Sequence, residues 1–171
     1  TIGAENGTLT VMVGGNAEGY EQALPAMQAF GKLIKHVGES GAGFAVKAVN
    51  NMLMAVNLCA VAEGFTTLKA HGVNLHEALD CINASSGKSM VTETVLPQRI
   101  LNRSFPVTFA LPLLAKDTGI AIDLAREAKI SAPVLSLTQN LIQAASDLSD
   151  KNSDFSSAVK MYESWSNITI E

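Results

Sequence analysis

Aromatic side chains are scarce in this sequence. They make up 5% of 171 residues, with a single Trp, two Tyr and six Phe. With rings this scarce, a stacking platform for nucleic-acid bases is not expected. Runs of Lys or Arg are absent too, and twelve basic against sixteen acidic residues leave a net charge of −4 and a sequence pI near 5.4. Neither nucleic acid nor an anionic membrane surface is therefore the expected partner. Two Cys cannot build a disulfide scaffold. The three His show no metal-ligand spacing, since His71 and His76 flank a Gly-Val-Asn turn and His36 is distant, so no metal is expected. The most apolar stretch, Ala42 to Leu68, is interrupted by Lys47, Asn50, Asn51, Asn57 and Glu63. These lie all round a helix, and each is costly in hydrocarbon, so the stretch reads as a helix covered by protein rather than a membrane span. An initiator Met, a signal peptide and a basic leader are also lacking, as expected of a piece of a longer chain.

Apolar residues, by contrast, are plentiful at 47%, and the mean hydropathy of +0.22 is high for a free-standing domain. Part of this apolar surface is expected to meet a partner. Thr8 to Val13 is a β-branched run ended by Gly14-Gly15 and predicts a short strand. Asn16 is placed to cap a helix whose apolar spacing runs from Ala17 to Leu33, with Pro25 as a kink or a restart. Ile34 to Val37 predicts a second strand, closed by Gly38. From Gly41 onward the pattern is helical. A long helix runs to about Ala70 and stops at Gly72, and Asn74 with Glu77 starts another that ends near Asn83. Short helical pieces broken by Pro97 follow over Met90 to Leu101, then helices over about 111–128, 133–148 and 154–165. The expected fold is all-α: six or seven helices with one long central helix, preceded by a short strand–helix–strand remnant of a larger α/β domain.

Most short motifs carry little chemistry. Gly87-Lys88-Ser89 resembles the end of a phosphate-binding loop, but Ile82 stands where the first glycine is needed. Cys59 and Cys81 read as packing residues. The informative block is Gly38-Glu-Ser-Gly41-Ala-Gly43-Phe-Ala-Val-Lys47-Ala-Val-Asn50-Asn51. Its glycines allow a tight strand-to-helix turn and a close approach. Lys47 and Asn51 are four apart and share one helical face. A Lys near a helix N-terminus works against the dipole, and burial would lower its pKa further, which suits a general acid/base. A Lys that reaches to water or pairs with an acid is the other reading, and the residues alone leave both open.

Three segments together carry a resemblance: Gly7-Thr-Leu-Thr-Val-Met-Val-Gly-Gly15, the Gly-x-x-Gly-x-Gly-x-x-x-Lys47-x-x-x-Asn51 block, and Leu111-Pro-Leu-Leu-Ala-Lys116-Asp117. In this order and spacing they resemble the β-hydroxyacid dehydrogenase family, which includes 3-hydroxyisobutyrate dehydrogenase and, distantly, 6-phosphogluconate dehydrogenase. The resemblance implies that residues 1–38 are the tail of an N-terminal dinucleotide-binding domain, and 39–171 a helical substrate and dimerisation domain. It implies a cytoplasmic enzyme using NAD or NADP, bound mainly by the N-terminal domain, on a small hydroxyacid or its semialdehyde. Lys47 would be catalytic, Asn51, Gly43 and Phe109 would bind substrate, and Lys116 and Asp117 would lie at the cofactor. A homodimer or tetramer is expected, with no nucleic acid and no membrane. The alternative is an inactive helical dimerisation or scaffold domain.

Overall fold

A computed structural model describes residues 2–171 of the chain, with the side chains of Ile2 and Ala4 left aside. The chain divides into two compact units, one reaching to Asn50 and the other Asn51–Glu171. The divide falls within a helix, beyond the turn at 38/39 where the sequence suggests a boundary.

The first unit opens with helix α1 (Ile2–Glu5), strand β1 (Leu9–Gly14), helix α2 (Ala17–Met27) and strand β2 (Gly31–Gly38). The strands pair directly and in parallel, with Val11 opposite Ile34 and Met12 opposite Lys35. Parallel neighbours need a crossover, and α2 supplies it. This sheet overturns the all-α expectation: the chain combines an α/β unit with a helical one.

The Asn16 side chain caps α2, accepting from the Gly19 amide at 2.7 Å. The helix ends at Met27, short of the expected Leu33, because Gly31–Gly38 is drawn into the ladder beside β1 and Leu33 pairs with Thr10. Pro25 lies inside α2 without ending it. Among the described residues up to Asn50, only Gly43 and Ala48 are buried, so this unit has almost no core of its own.

Helix α3 (Ala42–Ala70) begins in the first unit and continues into the second. By length and hydropathy it could cross a membrane. Its face formed by Met52, Ala55, Leu58, Cys59, Ala62 and Phe65 is nevertheless buried protein core. It ends in a Schellman turn. Gly72 takes φ +73°, the Val73 amide reaches Leu68 O at 3.0 Å, and the Gly72 amide reaches Lys69 O at 3.0 Å. Asn74 then caps α4 (Leu75–Asn83), accepting from the His76 and Glu77 amides.

The pieces expected around Pro97 are instead one continuous π-helical segment, Val91–Ile100. Pro97 has no N–H to give to Thr92 O five residues back, and that carbonyl accepts from Asn83 Nδ2 at 3.2 Å instead. The remaining helices are α5 (Leu111–Glu127) and α6 (Pro133–Asp147), then a 3₁₀ turn (Phe155–Ala158) running into α7 (Val159–Ser166). Pro112 and Pro133 sit at the helix starts, where a missing N–H costs nothing.

Candidate functional site

The junction between β2 and α3 is built on close contact. Gly43, the second residue of α3, lies against β1, and a Cβ there would sit 2.3 Å from Met12 O. Gly14 faces the same contact, where a Cβ would come within 2.6 Å of Glu39 O and 2.9 Å of the Gly43 amide nitrogen. Gly41 takes φ +95° in the turn. The sequence assigns Gly43 to substrate, but the structure gives it a steric task as well, since only glycine lets the helix start this close to the strand.

Beside this contact the first unit holds a cavity of about 540 Å³. Its wall is mostly apolar, formed by β1 together with Met27, Phe30 and Phe44, and its polar side chains include Ser40 and Lys47. Lys47 is exposed here, which is the water-reaching arrangement of the two that the sequence left open. It is the single cationic side chain on a mostly apolar wall. The sequence reading missed Ser40 and Phe44 as lining residues, although both lie inside the glycine block that it singled out.

In the second unit, Asn51 is buried and donates from Nδ2 to Asp117 Oδ2 at 2.7 Å. Lys116 Nζ lies 3.6 Å from Asp117 Oδ1 and is largely exposed. The structure thus brings Asn51, which the sequence listed separately, to the Lys116–Asp117 pair. The amide holds one carboxylate oxygen in place while the other faces an ammonium group.

Phe109 is placed elsewhere. Its ring packs on Phe155 at 6.1 Å and against the hydrophobic core. Its backbone is fixed from both sides, as the Phe155 amide donates to Phe109 O at 2.8 Å and the Phe109 amide donates to Asp154 at 3.2 Å. In this structure Phe109 is a half-buried aromatic packed against the core at a tight corner.

That corner is organised by Asp154, which the sequence placed only at the start of the last helix. Its fully buried carboxylate accepts from the Thr108 amide (2.9 Å), the Ser156 amide (3.1 Å) and the Ser156 hydroxyl (2.6 Å), and it pairs with Arg99 at 3.3 Å. Burial works to raise its pKa, but the hydrogen bonds from Ser156, Thr108 and Phe109 outweigh burial and hold the carboxyl below its ordinary value. Among the described residues, no group of three His, Cys, Asp or Glu is placed to hold a metal ion.

Comparison with known proteins gives this geometry a context. Residues 41–162 match the family model for the NAD-binding domain of NADP-dependent 3-hydroxyisobutyrate dehydrogenase, and residues 1–38 match that for the NAD-binding domain of 6-phosphogluconate dehydrogenase. The class is therefore that of proteins built around a nicotinamide dinucleotide, NAD or NADP, and the α/β stretch at the front is a recognised part of it. Within that class, the chain belongs to the 3-hydroxyisobutyrate dehydrogenase, or β-hydroxyacid dehydrogenase, family.

Among its relatives are 2-(hydroxymethyl)glutarate dehydrogenase of Eubacterium barkeri, 32% identical over 99% of this chain and 56% of the relative. Another is the NAD-dependent L-serine dehydrogenase of Pseudomonas aeruginosa, 34% identical over 95% of this chain and 57% of the relative. The solved structure of 3-hydroxyisobutyrate dehydrogenase from Mycobacterium tuberculosis with L-serine superposes with a TM-score of 0.86 at 29% identity, covering 94% of this chain and 57% of that one. The chain thus spans little more than half the length of these relatives.

Proposed function

We propose that this chain forms part of an NAD(P)-dependent oxidoreductase that interconverts a small β-hydroxyacid and its semialdehyde, with Lys47 as general acid/base. The observation that carries the proposal is Lys47 on the wall of the cavity beside the Gly14–Gly43 contact. Family membership supplies the reaction class.

The first unit fits part of the cofactor's needs. Its mostly apolar slot suits a flat ring, whereas the sequence contains no Gly-x-Gly-x-x-Gly turn for a pyrophosphate, so that contact falls to other chain in the relatives' length. The nicotinamide, when bound, supplies or accepts the hydride at the carbonyl carbon. Lys47 does the complementary work: its ammonium gives a proton to the carbonyl oxygen as the alcohol forms, and its amine takes that proton back in oxidation. Asn51, one helical turn on, holds Asp117 and so orders that carboxylate beside Lys116. Those two residues are assigned to the cofactor side of the reaction.

Self-association belongs to the same proposal. Val134 and Leu137 on α6 and Leu113 and Ile120 on α5 are exposed, which suits a homodimer or tetramer formed through the helical unit.

The test is Lys47→Ala in the enzyme that carries this chain together with its dinucleotide-binding portion. Loss of a positioned proton donor is expected to lower kcat by about 10²–10⁴-fold. Cofactor Kd should stay within about twofold, because a catalytic proton donor is not a cofactor anchor. Unchanged kcat with a lowered melting temperature would refute the assignment.

A further inference from the structure

On the second unit, between α3 and α7, lies a cavity of about 400 Å³ lined by Glu63, Thr66, Thr67, Tyr162, Trp165 and Ser166. None of these residues enters the reaction proposed above. We propose that this cavity is a binding site for a small organic ammonium ion, held by the Glu63 carboxylate and the rings of Trp165 and Tyr162.

The polar inventory of the wall points to a ligand that donates hydrogen bonds. Thr66 gives its hydroxyl proton to Ala62 O at 2.7 Å, and Thr67 gives its own to Glu63 O at 2.8 Å. Ser166 donates to Tyr162 O at 2.9 Å. Each of these three hydroxyls is left with only lone pairs to offer, and Glu63 adds a carboxylate, so acceptors outnumber the indole N–H of Trp165 on this wall. An anion would meet the like charge of Glu63.

The rings carry the argument further. Trp165 and Tyr162 meet edge to face with centroids 5.3 Å apart and planes at 63°, which makes an aromatic corner. Aromatic faces attract cations, and alkylated ammonium groups best of all, because those also bring apolar surface. The Tyr162 hydroxyl is buried beside the Cys59 thiol. Burial, then Cys59, then Glu63 push its pKa far up, so the residue presents a neutral ring. Glu63 is left as the single charge on the wall, and among the described residues no Lys, Arg or His forms an ion pair with it. A carboxylate, an aromatic corner and acceptor-only hydroxyls together select a compact cation with an apolar body over sodium or a neutral alcohol.

Trp165 is the only tryptophan of the chain, so its fluorescence reports this cavity alone. The experiment titrates the full chain with n-butylammonium chloride, with 1-butanol and sodium chloride as isosteric and ionic controls. The expected result is a saturable change with butylammonium and a merely linear drift with either control. Glu63→Gln, at an exposed position, should leave the far-UV circular dichroism unchanged and weaken the apparent affinity by about five- to tenfold. Thr67→Val, which removes one acceptor, should weaken it by a smaller factor. Equal responses to butylammonium and butanol, or to butylammonium and sodium, would overturn the proposal. So would butylammonium binding that survives both substitutions at full strength.

Discussion

Two glycines of α3 make opposite predictions for the same substitution. Gly43 lies in the first turn, and a Cβ added there would stand 2.3 Å from Met12 O, about 1 Å inside ordinary van der Waals contact. That oxygen belongs to backbone held in the β1–β2 ladder, so no flexible side chain can give way. Overpacking against a fixed neighbour costs about 1–3 kcal/mol, and at this depth the upper half of that range applies. Alanine's better helix propensity offsets at most about 1 kcal/mol of the cost, and less in a first turn than in a helix interior. Gly43→Ala should therefore destabilise by about 2 kcal/mol. Gly64 lies in the interior of the same helix, and nothing stands within 4 Å of its added Cβ. Gly64→Ala should stabilise by up to about 1 kcal/mol. Thermal unfolding followed by circular dichroism should show the two variants on opposite sides of the parent, at roughly 2–4 °C per kcal/mol. Because the chain has two units, amide exchange in β1 and β2 should show the Gly43→Ala loss locally. A Gly43→Ala protein as stable as the parent, or a Gly64→Ala protein less stable, would refute the steric argument.

Three further outcomes are expected. Gly72→Ala places a Cβ at φ +73° and should cost about 1 kcal/mol, read as a lower urea midpoint at unchanged m-value. Asp154→Ala removes the shared acceptor of Thr108, Phe109 and Ser156 and strands Arg99, at a cost of about 3–5 kcal/mol in denaturation. Because the folded pKa of Asp154 is depressed, its contribution is full above the unfolded carboxyl pKa and lost as pH falls through the lower folded value, so the variant's stability curve should be flatter on the acid side. Sedimentation equilibrium at tens of micromolar should show a species heavier than the 18.0 kDa chain, and a lone monomer would count against the exposed α5–α6 face as an interface.

What the sequence made legible was mostly local. The caps at Asn16 and Asn74 and the stop at Gly72 were readable because each is decided within a few residues of itself. The end of α2 was not, since apolar spacing continued to Leu33 while strand pairing, a contact between distant segments, claimed Gly31 onward. Pro97 signalled a break, and a widened helical turn absorbed it instead. Of the candidate site, the Lys47 block was legible from its glycines, while the choice between a buried and a water-reaching Lys47 was left open by the residues alone. The Asn51–Asp117 bond joins residues 66 apart in sequence, and no periodicity could have paired them. The Asp154 corner was hidden for the same reason, because its donors lie some 45 residues upstream as well as two residues on.

The spacing of the glycine block acquires a physical meaning from the close contact at Gly43. Residues four apart on a helix share a face, so the side of α3 that Gly43 turns toward β1 is the side from which Lys47 projects one turn later. Gly43 and Lys47 accordingly line the same cavity. A larger residue at 43 would push the helix start away from Met12 O and carry Lys47 with it, even with the lysine itself untouched. The glycine thus acts on position rather than on chemistry: it sets the distance between strand and helix from which the ammonium group is presented. Lys47, exposed to solvent, draws its proposed role from that placement more than from burial. The turn and the lysine are therefore one device, and the Gly-x-Gly-x-x-x-Lys spacing is the part of the sequence in which geometry and chemistry cannot be separated.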